Sequence, residues 1–87
     1  MLPLTDELVR EMARNVEPNE LEELMCSHEP IEVQIAMAAL SRMLRSDKFS
    51  DIEQSHEAWL GAQLSNDDIA VRQRAERTYR HLLHAGV

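Results

Sequence analysis

Aromatic residues are scarce in this sequence: Phe49, Trp59 and Tyr79 are the whole supply, 3% of the chain. A core without them must be filled by Leu, Ile, Val, Ala and the five methionines. Base-stacking surfaces for nucleic acid have equally little to draw on. There are two glycines, Gly61 and Gly86, and three prolines, which supplies few tight β-turns and no glycine-rich phosphate loop. Helices joined by short loops are the natural outcome. Cys26 is the sole cysteine, so one chain can form neither an internal disulfide nor a thiolate zinc cage, and a reducing cytoplasm is the expected setting. The opening Met-Leu-Pro-Leu-Thr-Asp-Glu has no basic region and no long apolar segment, which argues against a secretory signal. No apolar run approaches the roughly 20 residues that a membrane span needs.

What is present describes one small helical domain, residues 1–87. Hydrophobic residues reach 44% and charged residues 29%, the balance of a globular chain and not a disordered one. At 87 residues the core is small, and stability would gain from dimerisation or docking. The formal net charge of −7 is unevenly placed. Residues 1–32 hold nine acids against Arg10 and Arg14, whereas the remainder is balanced with seven of each sign. Such asymmetry bears on solubility and partner choice, not on fold.

Apolar spacing and end signals predict five helices, and hence an all-α, compact bundle. The first covers about Asp6–Asn15, with Thr5 as N-cap and Leu8, Met12 and Val16 as its apolar face. The second covers about Glu20–Ser27, opened by Asn19 with Glu22 three residues on, and its apolar face is Leu21, Leu24 and Met25. Pro30 suits the first position of a third helix ending near Ser46. This helix is apolar on nearly every side, so it is expected at the centre. Ser50 and Glu53 form a capping box for the fourth, which carries Ile52, Trp59, Leu60 and Leu64. The fifth starts after Ser65 or Asn66, with Asp67 and Asp68 in its first turn, and stops at Gly86. Met12, Met25, Met37 and Met43 are expected to fill gaps in the core.

The segment Ser27-His28-Glu29-Pro30-Ile31-Glu32-Val33 returns 38 residues later as Ser65-Asn66-Asp67-Asp68-Ile69-Ala70-Val71. Extending the match to Arg42/Arg80 and Leu44/Leu82 gives five identities in eighteen positions, against about one expected by chance. Each copy opens a long helix preceded by a shorter one, and a period of this length in paired helices is the mark of helical solenoids. Asp68-x-x-Val71-Arg72-x-x-Ala75 resembles the opening of the second helix of a HEAT-type repeat. The resemblance covers about residues 19–85. It implies structural roles: the acid caps the turn, Arg and Asp pair between units, and Val and Ala pack inward. The first copy has Pro30, Val33, Gln34 and Met37 in those places, so an Asp/Arg ladder cannot run through both. With only two units, a compact bundle containing two HEAT-like helix pairs is expected in place of an extended superhelix.

No constellation of residues argues for catalysis, a cofactor or a metal. Glu53 and His56 have metal-ligand spacing, but di-iron bundles need two such pairs and further glutamates. His81 with His84, and Cys26 with His28, are pairs without further ligands, and the two C-terminal histidines suit the negative end of a helix. Cys26, on a Leu-rich short helix, is expected to be a small buried apolar residue. The charged faces carry more. Glu17, Glu20, Glu22 and Glu23 crowd the second helix as an acidic face. Arg74, Arg77, Arg80, His81 and His84 form a basic face on the fifth, with pairing to Asp68 and Glu76 expected. These features favour a non-catalytic interaction module, a small regulatory or adaptor protein that binds a protein partner through charged helical faces. Faces of opposite sign also permit self-association. Two rivals are an acidic inhibitor that mimics nucleic acid, acting through the glutamates, and a nucleic-acid binder using the Arg-rich last helix. The acidic net charge weighs against the last.

Overall fold

The computed structural model describes residues 5–45 and 54–84, with side chains for 5–43 and 55–83. Helix α1 (Asp6–Ala13) is opened by Thr5, whose Oγ1 accepts the Leu8 N–H at 3.1 Å. Helix α2 spans Pro18–Met25, α3 Pro30–Arg45, α4 Gln54–Gln63 and α5 Ile69–His84. The protein is an all-α bundle, with five helices and no strand among the described residues. The Ser50 capping box, Ile52 and the Gly86 stop lie outside the described residues.

Helix α3 is the central element and packs against α1, α2 and α5, while α4 packs on α5. Its nearly continuous apolar surface is the reason. Val33, Ala36, Met37, Ala38, Ala39, Leu40 and Met43 are all buried. Small residues, Ala36 and Ala39 on α3 and Ala75 on α5, are fully enclosed and bring the backbones of packed helices close together. One apolar cluster joins α1, α2 and α3, and the other joins α3, α4 and α5. Trp59 packs against both clusters, and its Nε1–H donates to the Met25 carbonyl at 3.0 Å, fastening α4 to the end of α2. The radius of gyration is 11.9 Å, close to the ~12 Å of a compact chain this long.

Several local expectations shift. Helix α2 begins at Pro18, not at Glu20, and Glu17 is its N-cap without a side-chain cap bond. A proline at the first helical position lacks the N–H that would need satisfying, so the helix starts there and Asn19 falls inside it. Helix α1 turns Val9, Ala13 and then Val16 inward, leaving Leu8 and Met12 exposed. Met37 and Met43 fill the core as expected, and Met25 is half-buried. Cys26 is exposed, because α2 ends at Met25 and the cysteine falls in the following turn.

The repeated segment has a structural counterpart with one offset. Helices α2 and α4 end 38 residues apart, at Met25 and Gln63, and the buried positions Val33/Val71 and Met37/Ala75 keep that register. Helix starts do not: Pro30 is the first residue of α3, whereas its counterpart Asp68 precedes α5 and caps it, with Oδ1 accepting the Val71 N–H at 3.0 Å. Asp67 and Asp68 therefore stand before the first turn of α5 and not within it. The matching turn bond moves as well. Ser27 Oγ accepts the Glu29 N–H at 3.1 Å, and its equivalent is Asn66 Oδ1 accepting the Asp68 N–H at 2.9 Å, not Ser65.

Candidate functional site

Along α5, Val71, Arg74, Ala75, Thr78 and Leu82 form the inward stripe, so two polar residues occupy an otherwise apolar row. Arg74 can be buried there because acceptors meet it. Its Nη2 donates to Asp6 Oδ1 on α1 and its Nε donates to Gln34 Oε1 on α3 at 3.4 Å. Asp6 in turn receives Arg10 Nε at 3.0 Å and Arg77 Nη2 at 3.6 Å. Burial pushes the Asp6 carboxyl up, but the charge and hydrogen bond of Arg74, with Arg10 and Arg77, outweigh it and hold the group below its ordinary value of 3.8. Burial, and repulsion from Arg77 and Arg10, lower Arg74 from its ordinary value while Asp6 opposes the shift. A guanidinium so lowered still carries its proton at neutral pH.

Beside this ion cluster, where α1, α3 and α5 meet, lies a cleft of about 330 Å³. Its basic side chains are Arg10, Arg74, Arg77, Arg80 and His81. Its floor includes the hydroxyls of Ser41 and Thr78, 3.3 Å apart, and Ser41 Oγ also lies 3.4 Å from His81 Nδ1. Asp6 is the one acid that pairs with any of these arginines among the described residues. Arg80 is exposed and forms no ion pair among the described residues. Among the described residues one carboxylate, that of Asp6, pairs with three of these four guanidiniums and none pairs with Arg80, so the described side chains leave an excess of positive charge there.

The basic face thus divides. Arg77, Arg80 and His81 are gathered at the cleft, whereas Arg74 is buried and committed to Asp6. The side chain of His84 lies outside the described residues. Arginines of α5 pair with Asp6 instead of the expected Asp68 and Glu76, since Asp68 is occupied as the cap. Arg72 makes no ion pair with an acid among the described residues, so the pairing implied by the repeat resemblance is missing there.

Glu17, Glu20, Glu22 and Glu23 are all exposed on or beside α2, and none of them lines the cleft. Glu22 Oε1 lies 3.3 Å from Nε2 of the buried His56 on α4, which gives His56 a partner other than Glu53. Among the described residues no group of three or more His, Cys, Asp or Glu is placed to hold a metal ion. No helix among them is long and apolar enough to cross a membrane.

Asp6, Arg10, Ser41 and Thr78 were not singled out by the sequence patterns. For Thr78 the signal is present in hindsight, as it falls four residues after Arg74 on the apolar stripe. Arg10 sits four residues after Asp6, a spacing that marks a helical ion pair. No protein-family model, curated protein or solved structure matches this chain.

Proposed function

We propose that this protein is a non-catalytic interaction module, a small regulatory or adaptor protein that binds a protein partner through its charged helical faces. The observation that carries the reading is the cleft between α1, α3 and α5, lined by four arginines and His81, with Asp6 as the one acid among the described residues that pairs with those arginines. Unbalanced cations on a rigid helix favour an acidic partner surface, and they set association rate and specificity more than raw affinity. The exposed glutamates of α2 supply a second face of opposite sign, suited to a basic surface or to a second copy of the chain. Two HEAT-like helix pairs are the framework in this reading, supported by the Asp68 cap and the buried Val71 and Ala75. A free, exposed Cys26 suits a reducing cytoplasm.

Affinity capture from the native cell tests the proposal when three baits are compared. The unaltered chain and a Glu20→Lys/Glu23→Lys variant should retain the same partner, and Arg77→Glu/Arg80→Glu should lose it. Identical captures with all three baits would count against the charged faces, and sedimentation would report self-association.

Two rival readings have their own support. Exposure of Glu20, Glu22 and Glu23 on one short helix favours an acidic inhibitor that mimics nucleic acid, which would compete with DNA or RNA for a basic target and lose that effect on charge reversal. Arg77, Arg80 and His81 at the cleft favour direct nucleic-acid binding, which would weaken steeply with salt.

A further inference from the structure

The cleft has two ends with different electrostatics. At the buried end Asp6 is held by Arg74 and Arg10, with Arg77 at the longer distance of 3.6 Å. The cleft itself is lined by Arg10, Arg74, Arg77 and Arg80 and by no carboxylate. At the outer end Arg80 forms no ion pair among the described residues, and Arg77, half-exposed, reaches Asp6 only at 3.6 Å, too long for a strong hydrogen bond. His81 Nδ1 lies 3.4 Å from the Ser41 hydroxyl, and its ring lines the same cleft. Among the described residues, mutual repulsion among the arginines is therefore relieved by one carboxylate, and the guanidiniums of Arg77 and Arg80 line a hollow large enough for a small anion and the group that carries it.

A single added carboxylate would bring one charge and two oxygens. A phosphate monoester brings a charge of about −1.5 to −2 and three strong acceptor oxygens, and guanidinium forks match its geometry by paired hydrogen bonds. An extended polyanion fits less well. The cations are gathered in one hollow and not strung along a groove, and a strand running beyond it would meet a chain of net charge −7.

We propose that this cleft is a phosphate-monoester site, with the phosphoryl group held by Arg77, Arg80 and His81 above the fixed Asp6–Arg74 pair, and that its ligand is a phosphorylated serine or threonine side chain of a partner protein. The assignment rests on the basic cleft being the partner-binding face. It names the chemical group that the face recognises.

The test is a titration of the isotope-labelled protein, followed by NMR, at constant ionic strength. The probes are inorganic phosphate, N-acetyl-phosphoserine amide, N-acetyl-glutamate amide and an oligonucleotide without terminal phosphate. The expected result is saturable shifts centred on Ser41, Arg77, Arg80 and His81 with both phosphate probes, and binding of the glutamate probe at least tenfold weaker. Arg77→Gln/Arg80→Gln should weaken phosphoserine binding at least tenfold. The single variant Arg80→Lys, which keeps the charge and loses the fork, should weaken it several-fold with an unchanged thermal melt. Glutamate and phosphoserine probes binding equally would overturn the assignment and leave the acidic-partner reading standing. So would the absence of any saturable shift with phosphate. An oligonucleotide that bound more tightly than phosphoserine would overturn both in favour of nucleic acid.

Discussion

Asp6, the first residue of α1, holds the guanidinium of Arg74, whose side chain is only 8% exposed in the middle of α5, and so joins two helices whose paired residues lie 68 positions apart. Asp6, Val9 and Ala13 fall on one side of α1. The ion pair and the apolar packing against α3 therefore set the same rotation of that helix, and α1 becomes one wall of the basic cleft.

Removing the acid should leave Arg74 with one weak acceptor, Gln34 at 3.4 Å, in a nearly dry site. Hydrogen bonds to charged groups contribute about 1.5–3 kcal/mol, and an orphaned buried charge costs more than a neutral one. Asp6→Ala is expected to lower stability by about 2 kcal/mol in urea unfolding. Arg74→Met added to it should recover a large part of the loss, since no buried charge is then left unpaired. A double variant as unstable as the sum of the singles would contradict this.

The same pair makes stability depend on acid. The Asp6 carboxyl is depressed in the folded protein, so its contribution is complete above the ordinary value of 3.8 and is lost as pH falls through the lower folded value. Unfolding free energies of the native chain and of Asp6→Asn should differ by a constant amount from neutral pH to about pH 5, then converge below about pH 4. Added salt should narrow the gap as well, because Asp6 is partly exposed.

Helix α4 carries Gly61 inside its last turn, and a Cβ built there meets nothing within 4 Å. The substitution therefore acts chiefly by restricting the unfolded chain. Gly61→Ala is expected to raise stability by about 0.4–1 kcal/mol, read as an increase in the urea midpoint with unchanged slope.

Trp59 ties the two apolar clusters together and also donates to the Met25 carbonyl. Phenylalanine keeps most of the packing and drops the donor. Trp59→Phe should cost about 1 kcal/mol, the usual net worth of one hydrogen bond. Unfolding must then be followed by circular dichroism, as no other tryptophan is present.

Local chemistry was legible in the sequence and tertiary choices were not. Thr5 as a cap, Pro30 as a helix start and α3 as the central helix follow from short-range rules, and all three hold. Leu8/Met12 and Val9/Ala13 are equally regular stripes on α1, and what separates them is packing on α3 together with a contact to an arginine far along the chain. Arg74 looks like one of four surface arginines until α1 and α3 supply its acceptors. The cleft was half visible for the same reason: Arg77, Arg80 and His81 stand out as a charged strip, whereas Ser41, Thr78 and Arg10 become relevant only where three helices meet.

The most direct test of the charged cleft as the working surface is a backbone NMR footprint of the captured partner on the isotope-labelled chain. Shifts and broadening should concentrate on Arg77 to His81, with Ser41 and Arg10 alongside, and should vanish with Arg77→Glu/Arg80→Glu. A footprint confined to α2 and α4, unchanged by that substitution, would contradict it.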